Sequence, residues 1–349
     1  MGRGVISYRR KVKIVFWGTP NFAVPILQSL LDSKHEVIAV VTQPDKRRNR
    51  GSKLNSSPVK ELANKNSIKV ITPKNIKSEK DILSEIEFTN ADIFIVVAFG
   101  QILPKEILSK PSLGCWNIHA SLLPKWRGAA PIQRSILNGD KETGVGIMLM
   151  EEELDTGPIL LEKKIDIGIL SNLQRVTKDL QDISCIALKE ALEIIESSGI
   201  NKELNLESKL KLTSQSLLNR NLCYAKMINK SELAINWNEK SIDIHRKVMG
   251  FSPSVFTFYK AKRIKISSTV PLEYNLKPVL KNYIDLIEKY SVKNGRPGEI
   301  IGIEKGIGII VKTKSSAIIV QNGQVEGKRL VSSDVLIQQL SFSVGEEFS

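Results

Sequence analysis

Three polar residues in the middle of the chain carry groups able to take a proton and to hold a developing negative charge. Asn117 and His119 stand in the run Asn-Ile-His-Ala-Ser-Leu-Leu-Pro (117–124), and Asp155 opens an Asp-Thr-Gly-Pro turn. A neutral imidazole accepts a proton near pH 7. An amide hydrogen-bonds an oxyanion. A carboxylate orients an imidazole and stabilises its charged form. No serine or cysteine stands beside them as an obvious nucleophile, so the set suits direct acyl-type transfer without a covalent enzyme intermediate. Of the chain's histidines, His35, His119 and His245, only His119 has polar, turn-forming and apolar neighbours in a defined order. Taken singly, each group also has an ordinary reading. His119 suits a loop, Asn117 a turn, and Asp155 the start of an Asx-turn ahead of Gly157.

The surrounding text reads as the elements that must hold these groups. Residues 13–17 form a buried strand ended by Gly18-Thr19-Pro20, and a helix is expected over 22–33 with Pro25 in its first turn, where proline is tolerated. Residues 35–42 contain Val-Ile-Ala-Val-Val, text of parallel-sheet character. Residues 58–66 and 81–87 read as helices, 69–71 as a strand, and 92–98 as the central strand. Strands alternating with helices indicate an open α/β sheet. Ligands of such sheets bind beyond the carboxyl ends of the strands, so Phe99-Gly100 and residues 117–119 are expected to line one crevice.

Residues 145–150 and 159–165 read as further strands. Residues 173–197 read as a helix with Leu180, Ile183, Ala187, Leu188, Leu192 and Ile195 as its apolar stripe. Polar text over 198–220 reads as a linker and its flanks. Beyond it, short β-like runs at 255–259, 264–266, 298–303, 308–313 and 317–320 suggest a small β-barrel, with a helix over 279–290 between them.

The chain's 349 residues suit two domains. Its net charge of +14 is uneven: the first 200 residues carry 28 Lys+Arg against 23 Asp+Glu, the rest 23 against 14. That excess fits a polyanionic partner such as nucleic acid, or an ordinary basic surface. Cys115, Cys185 and Cys223 form no CxxC pair, so no metal site is expected, and unpaired thiols suit a reducing compartment. No apolar run is long enough for a membrane span. Residues 1–10 are basic but lead into no signal-peptide core. They read as an N-terminal extension: an arm, an upstream start or an organellar remnant.

The chain resembles the methionyl-tRNA formyltransferases over nearly its whole length. The resemblance is carried by Phe-Trp-Gly-Thr-Pro-Asn-Phe-Ala (16–23), Val-Thr-Gln-Pro-Asp (41–45), Ser-Pro-Val-Lys (57–60) and Ala-Phe-Gly-Gln-Ile-Leu-Pro (98–104). It continues through Asn117–Pro124 into Lys-Trp-Arg-Gly-Ala-Ala-Pro-Ile (125–132), then Asp155-Thr156-Gly157 and Tyr224-Ala225-Lys226. The Asn-x-His-x-Ser-Leu-Leu-Pro run is specific to folate-dependent formyl transfer, and the Trp-Arg-Gly-Ala-Ala-Pro-Ile run narrows it towards the tRNA enzyme.

The resemblance implies an α/β fold: a Rossmann-like open-sheet catalytic domain at 11–202, a linker at 203–220, and an OB-like, tRNA-binding β-barrel at 221–343. It implies 10-formyltetrahydrofolate as co-substrate, without a metal, and initiator methionyl-tRNA as partner. Asn117, His119 and Asp155 become the catalytic set, with Ser121, Leu122, Leu123 and Pro124 lining the folate site. A cytoplasmic monomer without membrane contact is expected.

The basic run at 45–53 follows a strand aimed at the crevice. It reads as a solvated loop or as a phosphate contact for an acceptor stem. Arg50, Gly51, Lys53 and Leu54 match the family's loop there, and Arg47 and Arg48 do not. Other departures are Phe99 in place of a common tyrosine, the acidic triplet 151–153, and an apparent insertion at 271–294. Two rivals compete with the tRNA enzyme: a formyltransferase or hydrolase for a small molecule, such as an amino-sugar nucleotide, and a non-catalytic RNA-binding module. The basic C-terminal half argues against the first, and the intact polar triad against the second.

Overall fold

The computed structural model describes residues 11–47, 54–87, 89–198 and 206–349. Residues 1–10 and most of the basic run, Arg48 to Lys53, lie outside the described residues, and so do the expectations placed on them. The chain packs as two units. The first takes in the described residues up to Pro131, with Thr143–Ile165 and Thr177–Ala225, and the second comprises Ile132–Glu142, Asp166–Val176 and Lys226–Ser349.

In the first unit, strand β1 (Lys13–Gly18) leads through a 3-10 turn into helix α1 (Val24–Leu31) and β2 (Glu36–Val41). The ribbon β3 (Lys46–Arg47) and β4 (Leu54–Asn55) precedes α2 (Pro58–Lys65), β5 (Lys69–Ile71), α3 (Lys80–Glu87) and β6 (Ile93–Val97). Helix α4 (Lys105–Leu108), β7 (Cys115–His119), β8 (Arg127–Gly128), β9 (Glu142–Leu149) and β10 (Ile159–Asp166) follow, while α5 (Pro131–Asn138), which lies between β8 and β9 in the chain, belongs from Ile132 on to the second unit. The long α6 (Leu173–Ser197), the short α7 (Leu206–Leu210) and β11 (Tyr224–Ala225) complete the series. Seven strands form one sheet in the order β10-β9-β7-β6-β1-β2-β5.

Strand β6 is buried at every residue because it has parallel neighbours on both edges and packing on both faces, hence its unbroken Ile-Phe-Ile-Val-Val text. Each such Ile, Val or Phe removed from water contributes about 1.5–3 kcal/mol. Trp17 packs on Phe94 and edge-on to Phe99, with ring centroids 5.6 and 5.2 Å apart. Register then places the strand ends: Trp17 lies beside Val96, and Val96 beside Asn117. The carboxyl ends of β1, β6 and β7 therefore meet, where an open sheet offers its crevice. β9 runs antiparallel to β7, with Gly146 beside His119, so the sheet reverses at the strand that carries Asn117 and His119.

The second unit adds α8 (Ser241–Phe251), β12 (Phe256–Tyr259), β13 (Lys262–Leu272), α9 (Ile284–Tyr290), β14 (Ile300–Glu304), β15 (Gly308–Lys312), β16 (Ala317–Val325), β17 (Val331–Ser332) and α10 (Ser333–Leu340). Its antiparallel sheet runs β12-β13-β16-β15-β14, with β17 on β16. The C-terminal tail joins the two edges. Phe258 and Ser349 exchange both backbone hydrogen bonds, while Ile300 donates to Glu346 and Phe348 donates to Gly298. A tail bonded to both edge strands gives a small barrel, whose core includes Trp237, Tyr259, Phe342 and Phe348. Strand β13 runs further than the apolar text 264–266 suggests, because its polar residues Ser267 and Thr269 are buried and bonded. The 271–294 stretch supplies Leu272, Leu280, Ile287 and Tyr290 to a second cluster. No helix among the described residues is long and apolar enough to cross a membrane.

His245 is buried in this unit. Its Nε2 donates to the Ile169 carbonyl (2.7 Å), which leaves Nδ1 to accept from the Thr269 hydroxyl (3.0 Å). Burial pulls its pKa down to about 4, against the contrary pull of the Ile169 carbonyl. The unfolded chain therefore binds this proton first as pH falls. Stability is fully present above about 6.5 and is lost between 6.5 and about 4, by about 3 kcal/mol in total. Denaturant titrations from pH 7 to 4 are expected to show this loss, and His245→Gln to remove it. An equal pH dependence in both proteins would count against the assignment.

Candidate active site

The site is built on β7 and on two turns that reach it. β7 ends with Asn117 and His119 at the reversal of the sheet. Both project from the same strand with one residue between them, so they share a face. The Asp155 turn follows β9 and brings its carboxylate over that face.

Asp155 is the hub. Its Oδ1 accepts from Asn117 Nδ2 at 3.3 Å, and its Oδ2 accepts from the backbone N–H of Gly128 at 2.8 Å. His119 Nδ1 stands 3.7 Å from Oδ2, too far for a hydrogen bond but close enough for attraction once the ring is charged. His119 and Asp155 are 6% and 8% exposed, so that attraction is little screened by solvent. The structure thus brings together the three residues singled out from sequence.

The imidazole has a defined tautomer. Its Nε2 lies 3.0 Å from the Trp126 carbonyl oxygen. A carbonyl only accepts, so the proton of the neutral ring sits on Nε2 and the lone pair on Nδ1, towards Asp155. A second proton on Nδ1 would leave the imidazolium between a carbonyl and a carboxylate, both acceptors. Asn117 retains a second amide N–H beyond the one given to Asp155.

Ser121, Leu122, Leu123 and Pro124 are all buried. The Ser121 hydroxyl donates to the Lys125 carbonyl (2.6 Å), and Leu123 packs with Met148 and Ile159. These four residues lead the chain from β7 into the Trp126–Gly128 turn.

That turn is held by residues to which sequence reasoning gave no part in the site. β8 pairs in parallel with β11, Arg127 opposite Tyr224 and Gly128 opposite Ala225. Cys223 accepts the Trp126 N–H at its sulfur (3.3 Å) and the Arg127 N–H at its carbonyl (3.1 Å). Gln215 joins Arg127 to the Asp155 turn. Arg127 and Gly128 stand in a run that sequence reading quoted for its resemblance, but Gln215 sits in polar text with no local signal.

The strand ends opposite are tied by Thr19, whose hydroxyl donates to the Phe99 carbonyl (3.0 Å) and accepts from the Gln43 N–H (3.3 Å). Gly18-Thr19-Pro20 is thus a tight turn stitched to the β6 end. Gly157 is required by close approach, since a Cβ there would run into the Leu149 carbonyl oxygen. Among the described residues no group of three or more His, Cys, Asp or Glu side chains is placed to hold a metal ion. The arrangement offers a proton acceptor, an amide donor and a buried carboxylate: parts for attack of a neutral nucleophile on an acyl carbon.

The formyl transferase family model matches residues 10–192, and that of the formyl transferase C-terminal domain matches 227–341. The chain is 48% identical to the methionyl-tRNA formyltransferase of Prochlorococcus marinus (strain MIT 9211), over 97% of this chain and all of that one. It is 42% identical to the enzyme of that name from Synechococcus sp. (strain CC9311), over 97% of this chain and 99% of the other. Among solved structures, the sugar 3N-formyl transferase WlaRD, crystallised with dTDP and 5-N-formyl-THF, is similar in fold. Its TM-score is 0.58 at 20% identity, covering 92% of this chain and all of that one. HypX from Aquifex aeolicus, in complex with tetrahydrofolic acid, gives a TM-score of 0.56 at 15% identity, covering 97% of this chain and 49% of that one.

Proposed function

This chain belongs to the formyl transferase family, and we infer from that membership that it transfers the formyl group of 10-formyltetrahydrofolate to the amino group of methionine on initiator tRNA. One observation carries the reading: in a chain alike end to end to enzymes of that activity, Asn117, His119 and Asp155 meet at one buried carboxylate.

The chemistry follows from the groups present. The methionyl amine attacks the formyl carbon through its nitrogen lone pair and must lose a proton as the new C–N bond forms. His119 takes that proton on Nδ1, the ring nitrogen left unprotonated by the Trp126 contact. Asp155 offsets the imidazolium charge. The carbonyl oxygen becomes an oxyanion, and the second N–H of Asn117 stabilises it. Such a donor lowers the barrier by about 2.7–4 kcal/mol in oxyanion holes. The bond from the formyl carbon to the folate nitrogen then breaks, and that nitrogen departs with a proton returned from His119 or through water. Ser121, Leu122, Leu123 and Pro124 form the wall behind the folate.

For the domains we propose catalysis in 11–202 and tRNA binding in the barrel of 221–343, joined by a linker at 203–220 from which Gln215 packs into the catalytic unit. Arg50, outside the described residues, is assigned a phosphate contact to the tRNA on the strength of the family's basic loop. The enzyme works as a monomer in the cytoplasm, a setting consistent with its free cysteines. The test is an incubation of the purified protein with 10-formyltetrahydrofolate and methionyl-initiator tRNA, methionyl-elongator tRNA or free methionine. Formyl-methionine forms rapidly only on the initiator. Transfer to an amino-sugar nucleotide instead, with none to tRNA, would replace this reading by the small-molecule one.

A further inference from the structure

We propose that Gln215 is a positioning residue for this transfer: its carboxamide locks the Asp155 turn to Arg127 and so sets where the Asp155 carboxylate stands against His119. The proposal rests on the formyl-transfer reading of the site. Gln215 lies between the two segments that match the family models, which end at 192 and resume at 227.

Gln215 is 4% exposed, and every hydrogen-bonding position of its side chain is used. Nε2 donates to the Asp155 carbonyl at 2.9 Å and to the Gly157 carbonyl at 2.8 Å. Oε1 accepts from Arg127 Nε at 3.0 Å and Nη2 at 2.7 Å. The amide cannot be turned over, because carbonyls need its N–H groups and a guanidinium needs its oxygen. A buried polar network satisfied on all sides holds one geometry, and a partly satisfied one is costly.

The held geometry matters for two reasons. Asp155 adopts φ +55°, a left-handed conformation that costs energy for any residue with a Cβ, even aspartate, and is held here by the turn's hydrogen bonds. The Gln215 amide bonds the Asp155 and Gly157 carbonyls on either side of that turn. The same side chain also grips Arg127, whose neighbour Gly128 gives its N–H to Asp155 Oδ2. Gln215 therefore holds both halves of the Gly128–Asp155 hydrogen bond, one through the Asp155 main chain and one through Arg127. Its loss would let the carboxylate swing relative to His119 without removing any group that touches substrate.

Two variants separate the parts. Gln215→Glu keeps the acceptors for Arg127 but sets a carboxylate against two carbonyl oxygens. Gln215→Leu removes every bond. The measurements are kcat and KM for both substrates, cooperative thermal unfolding, and the NMR resonances of the His119 ring at one fixed pH in the substrate-free protein. Both variants are expected to lose kcat by on the order of 10- to 100-fold per folded molecule, as a displaced group does. Both KM values should stay within about threefold of wild type. The NMR resonances of the His119 ring at one fixed pH shift, since the carboxylate no longer faces the ring. Wild-type kcat per folded molecule, or unmoved His119 ring resonances, would overturn the proposal. So would loss of cooperative unfolding in both variants, which would make Gln215 a folding residue only. Failure of wild type to formylate methionyl-initiator tRNA would instead sink the functional reading, and the His119 ring resonances need no substrate to decide on Gln215.

Discussion

Replacing His119 by alanine lowers turnover by on the order of 10²–10⁴-fold at saturating substrates, while affinity for tetrahydrofolate changes far less. The imidazole is the proton acceptor in the proposed transfer, and alanine leaves nothing within reach of the attacking amine. Its removal also strips the Trp126 carbonyl of a hydrogen-bond donor, which costs about 1–3 kcal/mol if no water replaces it. Thermal unfolding of the variant should therefore accompany the kinetics, so that activity is counted per folded molecule. The decisive comparison is single-turnover formylation against folate binding by calorimetry. Equal losses in both would remove the general-base role and leave His119 as a wall of the folate site.

Asp155→Asn is the second large effect, on the order of 10⁴-fold in kcat by analogy with orienting carboxylates elsewhere. The substitution changes few atoms, yet the site has two donors aimed at the carboxylate, Asn117 Nδ2 and Gly128 N. A carboxamide has one oxygen, so one of those donors would face an NH2 group. The charge that steadies the imidazolium is also gone. KM for methionyl-tRNA should hardly move, because neither loss concerns ground-state tRNA contacts. A variant within tenfold of wild-type kcat would show that the negative charge is dispensable. Asp155 would then serve only to hold the Gly128 turn.

Much of the fold was legible in the sequence because it rests on unbroken apolar text. β6 was readable from five consecutive apolar residues, and α6 over its whole length from its stripe. Helix α8 was not, because its buried face includes Ser241, His245 and Gly250 beside Ile244 and Val248. Burial there depends on tertiary partners such as Ile169 and Thr269 for His245, and periodicity carries no trace of them. The polar half of β13 was hidden for the same reason. The tail at 345–349 was invisible as a structural element, since backbone bonds to two edge strands leave no mark on residue type. At the site, Asn117 and His119 could be read together because one strand carries both. The approach of Asp155 required the β9 reversal and the turn after it, and local spacing could not supply that. Gln215 is buried among carbonyls and a guanidinium that come from distant segments.

The order of the fastenings along the chain has a consequence for synthesis. A ribosome delivers the N-terminal part first. Asn117, His119 and Asp155 are all out, and β10 can close the sheet, well before Gln215 appears 60 residues after Asp155. Cys223 and the Tyr224–Ala225 strand, which clamp the Trp126–Gly128 turn, come later still. A nascent or prematurely terminated chain ending between β10 and Gln215 would hold every proton-handling group and lack the clasp that aims them. Competence is thus the last property the first unit acquires during translation.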